Sequence, residues 1–259
     1  INSPQLLQLS GIGPGKLLQS HNINIVHVSH HVGKNLQDHL GSDIYYHANV
    51  PTLNQELNPM FGKLRAGLKY IFTRKGPLSL SLNQGGGFIQ IDPNASGPDL
   101  QLYFSPVSYT RAPAGVRPLM NPDPFPGFLM GFNPCKPTSV GNIQISSTDP
   151  MLPPKIYSNY LDTDYDKKMM IEGIRLIRRI ANAPALNSII KDELAPGVGI
   201  KSETDIAKYI RQKAWSVFHP CSTCSMGSNP NVSVVDPKLR VYGVDNLRVV
   251  DASIFPTIP

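Results

Sequence analysis

Short apolar runs separated by turn residues fill the middle of this 259-residue sequence. Between residues 41 and 154, several of these runs alternate apolar with polar side chains, as the strands of a half-buried sheet do. Regular helices do not separate them, and strands in this density without crossover helices favour antiparallel pairing. We therefore predict a mostly antiparallel sheet, with strands at residues 43–48, 87–91, 100–105, 128–132 and 141–147.

Helical periodicity appears on either side of these strands and once between them. The strongest pattern covers residues 164–182, where Met170, Ile174, Ile177 and Ala181 form one apolar stripe. Ser202 and Asp205 have the spacing of a capping box ahead of another helix. The spacing also predicts helices at 3–9 and 61–74 and a short strand at 24–29. The fold class is therefore α+β, with helices backing the sheet.

Charge and cysteine content restrict the function classes. The net charge is +6, but the 24 Lys and Arg residues are scattered, and no clustered basic footprint for nucleic acid is present. No apolar run approaches the roughly 20 residues that a transmembrane helix needs. The three cysteines are odd in number and too few for a disulfide framework, so we expect a reducing compartment and a cytoplasmic protein.

The segment from Ser216 to Gly227 has the densest set of reactive side chains, since His219 is followed by Cys221 and Cys224. A zinc site would need a fourth ligand, and no second cysteine pair exists. A zinc deaminase would need an upstream His-x-Glu motif, which the sequence lacks. A redox Cys-x-x-Cys, a general acid or base at His219, and a purely structural histidine remain open.

Two other clusters invite a functional interpretation. Gly11, Gly13 and Gly15 are closely spaced, but they complete neither the dinucleotide fingerprint nor the phosphate-binding loop. Asp38 and His39 could be catalytic, yet adjacent side chains seldom face each other. For residues 33–39 a turn with local backbone hydrogen bonds is the favoured interpretation.

Five separated segments together resemble one family, the glucose-methanol-choline (GMC) flavoprotein oxidoreductases, in its choline or alcohol dehydrogenase-like branch. The order and spacing of all five agree with that family. They are residues 3–13 (SPQLLQLSGIG), 32–39 (VGKNLQDH), 142–161, 219–227 (HPCSTCSMG) and 246–253 (NLRVVDAS).

The resemblance implies a particular division of the chain. Residues 1–40 would be partial elements of a Rossmann-type FAD domain, residues 41–219 the substrate-binding domain, and residues 220–259 a truncated carboxy-terminal strip beside the flavin. The family's amino-terminal glycine fingerprint is absent, and its second active-site residue would follow Pro259. The helix pattern at Ile1 and the abrupt end at Pro259 also indicate a piece of a longer protein.

The resemblance also implies a function. His219 would be the base that takes the proton of an alcohol substrate while hydride passes to FAD, and Asp251 and Ala252 would contact the flavin. No metal is implied. We expect the chain alone to lack tightly bound FAD and to be inactive without the missing FAD-binding segment. A lyase of the same family, or a flavin-free binding module on the same scaffold, are the alternatives.

Overall fold

The computed structural model describes residues 1–109 and 121–259. These residues divide into two compact units. The first unit contains residues 1–40, 135–167 and 216–259, and the second contains residues 41–134 and 168–215. Within the described part of the chain, no helix is long and apolar enough to cross a membrane.

The elements are numbered along the chain. The α-helices are α1 (Asn2–Leu9), α2 (Gly15–Ser20), α3 (Leu53–Leu57), α4 (Met60–Thr73), α5 (Asp164–Ala181), α6 (Pro184–Asn187) and α7 (Glu203–Lys213). The strands are β1 (Ile12–Gly13), β2 (His27–Val28), β3 (Lys34–Leu36), β4 (Leu40–Ala48), β5 (Gly85–Ile89), β6 (Leu100–Ser105), β7 (Gly127–Pro134), β8 (Gly141–Gln144), β9 (Lys155–Tyr157), β10 (Ile190–Ala195) and β11 (Trp215–Ser216). Short 3₁₀ turns lie at Pro77–Ser79 and Ala252–Ile254.

An antiparallel sheet forms the centre of the second unit. Its strands lie in the order β10-β4-β7-β6-β5. In the register of β4 with β7, Tyr45 lies opposite Leu129, and β6 places Tyr103 opposite Gly131. The prediction of a mostly antiparallel sheet with helices is confirmed, and the strand predicted at 100–105 has those bounds.

The strand predicted at 87–91 begins and ends two residues earlier. Glycine is required in β5, because a Cβ on Gly86 would lie 2.3 Å from the carbonyl oxygen of Leu102. At the other end, the buried carboxylate of Asp99 accepts the main-chain N–H groups of Ile91 and Asp92, both at 2.7 Å. These bonds turn the chain away from the sheet and end the strand.

Helix α5 supplies much of the apolar core of the second unit. Met170, Ile174 and Ile177 are each no more than 1% exposed, so the predicted stripe is a buried face. The helix begins at residue 164 and ends one residue before the predicted boundary. Ser202 caps α7 as predicted, because its hydroxyl accepts the N–H of Asp205 at 3.1 Å.

The first unit contains a second, smaller sheet in the order β3-β8-β9, which is also antiparallel. The fully buried side chain of Gln8 on α1 connects this sheet to the helix. Its amide nitrogen donates to the carbonyl of Ile143 at 3.1 Å, and its oxygen accepts the N–H of Ile145 at 2.8 Å. Of the strand predicted at 24–29, only His27 and Val28 form a strand, β2. This strand is short because its parallel partner, β1, also has only two residues.

The two compact units do not have the same boundaries as the domains predicted from the sequence. One boundary does fall between residues 40 and 41, but residues 135–167 belong to the first unit, and so do residues 216–219. The reason is local pairing, since β8 lies between β3 and β9. Because β3 at residues 34–36 pairs with β8, residues 135–167 belong with residues 1–40 and not with residues 41–134.

Two helical glycines should respond oppositely to substitution by alanine. On Gly173 of α5, a Cβ would lie 2.1 Å from the ring of Phe132, whereas a Cβ on Gly67 of α4 meets nothing within 4 Å. Gly173→Ala should therefore lower the free energy of unfolding by about 1–3 kcal/mol. Gly67→Ala should raise it by up to about 1 kcal/mol. Denaturant titration of the full-length protein measures both, and equal effects would contradict the packing at Gly173.

Candidate active site

The site forms where residues 33–39 lie beside residues 217–223 in the first unit. Main-chain hydrogen bonds connect the two segments at several points. Gln37 and Cys221 exchange N–H···O bonds of 3.2 and 2.9 Å. The N–H of Gly33 donates to Thr223 at 2.8 Å, and the N–H of Val217 donates to His39 at 2.9 Å. This pairing brings Asp38 and His39 next to His219, about 180 positions later in the sequence.

The buried carboxylate of Asp38 binds the loop that carries His219. One oxygen accepts the main-chain N–H of His219 at 2.8 Å, and the other accepts the hydroxyls of Ser216 and Tyr160. Burial and the hydrogen bond to Asp38 raise the pKa of Tyr160 well above its usual value, so the phenol keeps its proton and remains a donor. A buried carboxylate with three donors is well satisfied.

The backbone around His219 is strained. Phe218 and Ser222 have φ angles of 63° and 72°, and such positive values are uncommon for residues other than glycine and rare for bulky ones. The hydroxyl of Ser216 accepts the N–H of Phe218 at 2.9 Å, which together with Asp38 offsets the strain. Phe218 is 82% exposed. Strained residues held by their surroundings concentrate at functional sites.

His219 is hydrogen-bonded to a second histidine. Its Nδ1 lies 3.0 Å from Nδ1 of His39, and the two rings meet edge to face. The other nitrogen of His39, Nε2, lies 2.9 Å from the carbonyl oxygen of Cys135. His39 is buried, whereas His219 is exposed. The exposed imidazole is therefore attached to a buried one that is fixed at both nitrogens.

This chain of contacts defines which nitrogen of each ring carries a proton. A carbonyl oxygen only accepts, so Nε2 of His39 carries the N–H. Burial lowers the pKa of His39, with the nearby His219 adding to the effect, although the bond to Cys135 and the charge of Asp38 oppose it. His39 is then neutral, and its Nδ1 accepts. His219 must donate from Nδ1, so in the neutral form of its ring the lone pair lies on the exposed Nε2.

The two cysteines of the same segment are packing residues. Cys221 and Cys224 are buried free thiols, and burial raises the pKa of Cys224 to about 12. Such thiols stay protonated and are poor nucleophiles and metal ligands. Across the described residues, no group of three His, Cys, Asp or Glu side chains is arranged to hold a metal ion. The redox and zinc interpretations of this motif have no structural support.

Asp251 and Ala252 lie on an exposed strip beside the His219 segment. The N–H of Ser222 donates to the carbonyl of Ala252 at 3.2 Å. The carboxylate of Asp251 accepts the N–H of Ser253 at 2.8 Å and the hydroxyl of Ser3. Burial alone would raise the pKa of Asp251, but these hydrogen bonds outweigh it and lower the pKa. The Asp251 side chain therefore holds the strip in place through hydrogen bonds to Ser253 and Ser3.

Sequence reasoning missed His39 and Asp38. The prediction that residues 33–39 form a turn with local backbone bonds is wrong for both residues, because each binds the distant His219 segment. The adjacent side chains do point apart, as expected, but both reach residues of the same loop. The sequence offers two signals, the polar residues after a short strand and the family-like segment 32–39, and neither indicates a partner.

Comparisons with known proteins identify similar chains. Residues 137–259 match the family model described as GMC oxidoreductase. The chain is 39% identical to an alcohol dehydrogenase [acceptor] of Pseudomonas putida, in a match that covers all of this chain and 46% of that protein. It is 37% identical to an oxygen-dependent choline dehydrogenase of Pseudomonas fluorescens, in a match that covers all of this chain and 44% of that protein. A solved structure of Aspergillus oryzae formate oxidase superposes with a TM-score of 0.87, at 27% identity, over 99% of this chain and 48% of that one.

The chain thus spans about half the length of the curated relatives it matches. The match with the dehydrogenases extends over the whole of this chain and so includes the His219 segment, the strip at Asp251 and the strand that precedes Asp38. Together with the matched family model and the shared fold, these relatives show that the chain belongs to the GMC oxidoreductase family.

Proposed function

We propose that the protein containing this chain oxidises the CH–OH group of a small alcohol with FAD as hydride acceptor, and that His219 is the base. The observation that carries the proposal is the hydrogen bond from His219 to the buried His39. In the neutral imidazole this bond places the lone pair on the exposed Nε2, as a general base requires. The dehydrogenase names of the curated relatives support alcohol oxidation.

The residues of this chain fit one edge of a flavin. The consecutive residues Val250, Asp251 and Ala252 are all exposed. Among the described residues, the N–H groups of Asp251 and Ala252 meet no hydrogen-bond acceptor. Main-chain donors beside an apolar side chain suit a ring with a polar edge and an apolar face. The sequence has no Gly-x-Gly-x-x-Gly cradle for the phosphates. We infer that the chain alone holds FAD weakly and is inactive by itself.

In the proposed reaction, bound FAD supplies the acceptor for the hydride that leaves the substrate carbon. Nε2 of His219 takes the hydroxyl proton, and the substrate becomes a carbonyl compound. The Nδ1–H of His219 stays on its bond to His39, so the ring does not turn as it gains the proton. The new positive charge arises on a loop whose main chain is bound by the Asp38 carboxylate, which favours the cation.

The alternatives have less support. The relatives reported above are dehydrogenases and an oxidase, and none favours a lyase that uses flavin only structurally. A flavin-free binding module does not explain why an exposed histidine is held by a buried histidine and a strained loop. We expect a cytoplasmic location from the free cysteines.

Replacing His219 tests the base directly. In the full-length enzyme, His219→Gln should lower kcat by about 10²–10⁴-fold, the usual contribution of general base catalysis. His30→Gln, the same change at another exposed histidine of the first unit, is the control and should leave kcat unchanged. Rapid-mixing measurements of flavin reduction by alcohol would show the loss in the chemical step. Equal rates in the two variants would refute the assigned role.

Replacing His39 tests its role as a positioning residue. His39→Leu removes the acceptor for Nδ1–H of His219 and should lower kcat with little change in KM, by less than the loss in His219→Gln. His39→Gln keeps an amide oxygen as acceptor and should recover part of the rate. The comparison of Leu with Gln separates hydrogen bonding from packing, because both fill the site. Identical rates in the two variants would contradict the proposed tautomer.

The lowered pKa of His39 predicts that the free energy of unfolding depends on pH. The pKa of His39 is lowered in the folded state, so the unfolded chain binds its proton first as the pH falls below about 6.5. Wild-type stability should therefore decrease between that pH and the lower folded-state pKa. Denaturation at about pH 7.5 and about pH 5.5 should show a smaller decrease for His39→Gln than for the wild type.

Asp38 can be tested against a matched carboxylate. Asp38→Asn and Asp99→Asn each alter a buried carboxylate that accepts at least one main-chain N–H group, so each should cost about 1–3 kcal/mol of stability. Only Asp38→Asn should also lower kcat, because only Asp38 binds the loop of His219. Steady-state kinetics at a temperature where both variants are folded provide the comparison. A similar kcat in both would show that Asp38 is merely structural.

A further inference from the structure

Helix α4 (Met60–Thr73) in the second unit is apolar yet almost entirely exposed. Of its fourteen residues, only Ala66 is buried, at 1% exposure. Phe61 and Phe72 are 76% and 80% exposed, and Met60, Leu64, Leu68 and Ile71 are also exposed. By contrast, helix α5 buries Met170, Ile174 and Ile177 almost completely. Exposed apolar patches of this kind mark interaction surfaces.

The exposed apolar residues lie on one face of α4. At about 100° per residue, they fall within an arc about 120° wide. Ala66 and Gly62, which face the protein, lie about 180° and about 140° from the middle of that arc. Gly62 packs so closely that a Cβ would lie 1.8 Å from the carbonyl oxygen of Glu56. The helix therefore attaches to its unit through small residues and directs its large apolar side chains outward.

Basic residues border this apolar face on both sides. Arg65 and Lys69 lie beyond one edge and Lys63 beyond the other, each within about 60° of the apolar arc. Arg74 and Lys75 follow at the carboxy-terminal end, and all five are exposed. The sequence has no acidic residue between Glu56 and Asp92. An apolar stripe with flanking Lys and Arg is the pattern of a helix that lies in a membrane interface.

We propose that α4 docks the protein on an anionic lipid bilayer, with its apolar face inserted at the level of the headgroups and its basic residues on the lipid phosphates. The helix lies on the membrane and does not span it, which agrees with its length of fourteen residues. This surface role is independent of the proposed oxidation chemistry.

Charge favours lipid over a second copy of this chain as the occupant. Two copies joined symmetrically through α4 would bring two sets of five basic residues together without acidic partners from this segment. An anionic bilayer offsets those charges, and each basic residue near such a surface contributes a several-fold gain in binding. The apolar residues add the burial that distinguishes insertion from simple electrostatic attraction.

Vesicle flotation of the full-length protein tests the proposal. Wild type should float with phosphatidylcholine vesicles that contain phosphatidylglycerol, and much less with pure phosphatidylcholine. Exchanging Lys63, Arg65 and Lys69 together for Gln should weaken binding roughly a hundredfold. The matched control is the Gln variant of the exposed Lys191, Lys201 and Lys208, which should bind like wild type. The thermal midpoint of both variants is measured alongside, because the first variant also removes the 2.9 Å hydrogen bond from Lys63 Nζ to Asn121 Oδ1.

A second variant separates lipid from other occupants. Exchanging Phe61, Leu68 and Phe72 for Ser should abolish vesicle binding without lowering the thermal midpoint of the full-length protein. The control is the Ser variant of Met151 and Val198, which are exposed elsewhere. Absent flotation of wild type, combined with a lower midpoint in the first Ser variant, would overturn the proposal in favour of a covering protein segment. If sedimentation shows that the Phe61, Leu68 and Phe72 variant has half the mass of wild type, the proposal is overturned in favour of self-association.

Discussion

The carboxylate of Asp38 is the interaction on which the candidate site depends. It is buried in the first unit, and it accepts hydrogen bonds from the main chain of His219 and from the hydroxyls of Ser216 and Tyr160. A buried charge is costly unless it is paired or fully hydrogen-bonded. Here the three donors come from two distant segments of the chain. The hydrogen bonds that they form with Asp38 fix the position of the His219 loop and offset the backbone strain at Phe218, which has a positive φ.

The neighbouring residue, His39, has a different task in the same segment, between β3 and β4. Asp38 holds the backbone of His219, whereas His39 holds its ring through the 3.0 Å contact between the two Nδ1 atoms. Because the carbonyl of Cys135 occupies the other nitrogen of His39, the ring cannot change its tautomer without losing a hydrogen bond. The position and the tautomer of a single exposed imidazole are thus set by two consecutive residues, whose side chains point to different parts of one loop.

Periodicity in the sequence predicted the elements that depend on local pattern. The stripe at Met170 and Ile174, the cap at Ser202 and the strand at 100–105 follow from spacing alone. The short strand β3 and its pairing with β8 do not, because three residues show no period and their partner lies over a hundred residues away. The pairing of Asp38 and His39 with His219 is likewise non-local. The five segments of the family resemblance contain all three residues, but the resemblance gives a role only to His219.

Helices α4 and α5 show what pattern cannot decide. Both are amphipathic, and a helix with an apolar stripe is expected to bury that stripe in a core. In α5 this holds, and Gly173 even allows the ring of Phe132 to approach the helix axis. In α4 the small residues Gly62 and Ala66 occupy the protein side instead, so the large side chains are left outside. The direction of a stripe depends on which face has residues small enough to pack closely, and the basic residues beside the outward stripe determine what surface it can meet.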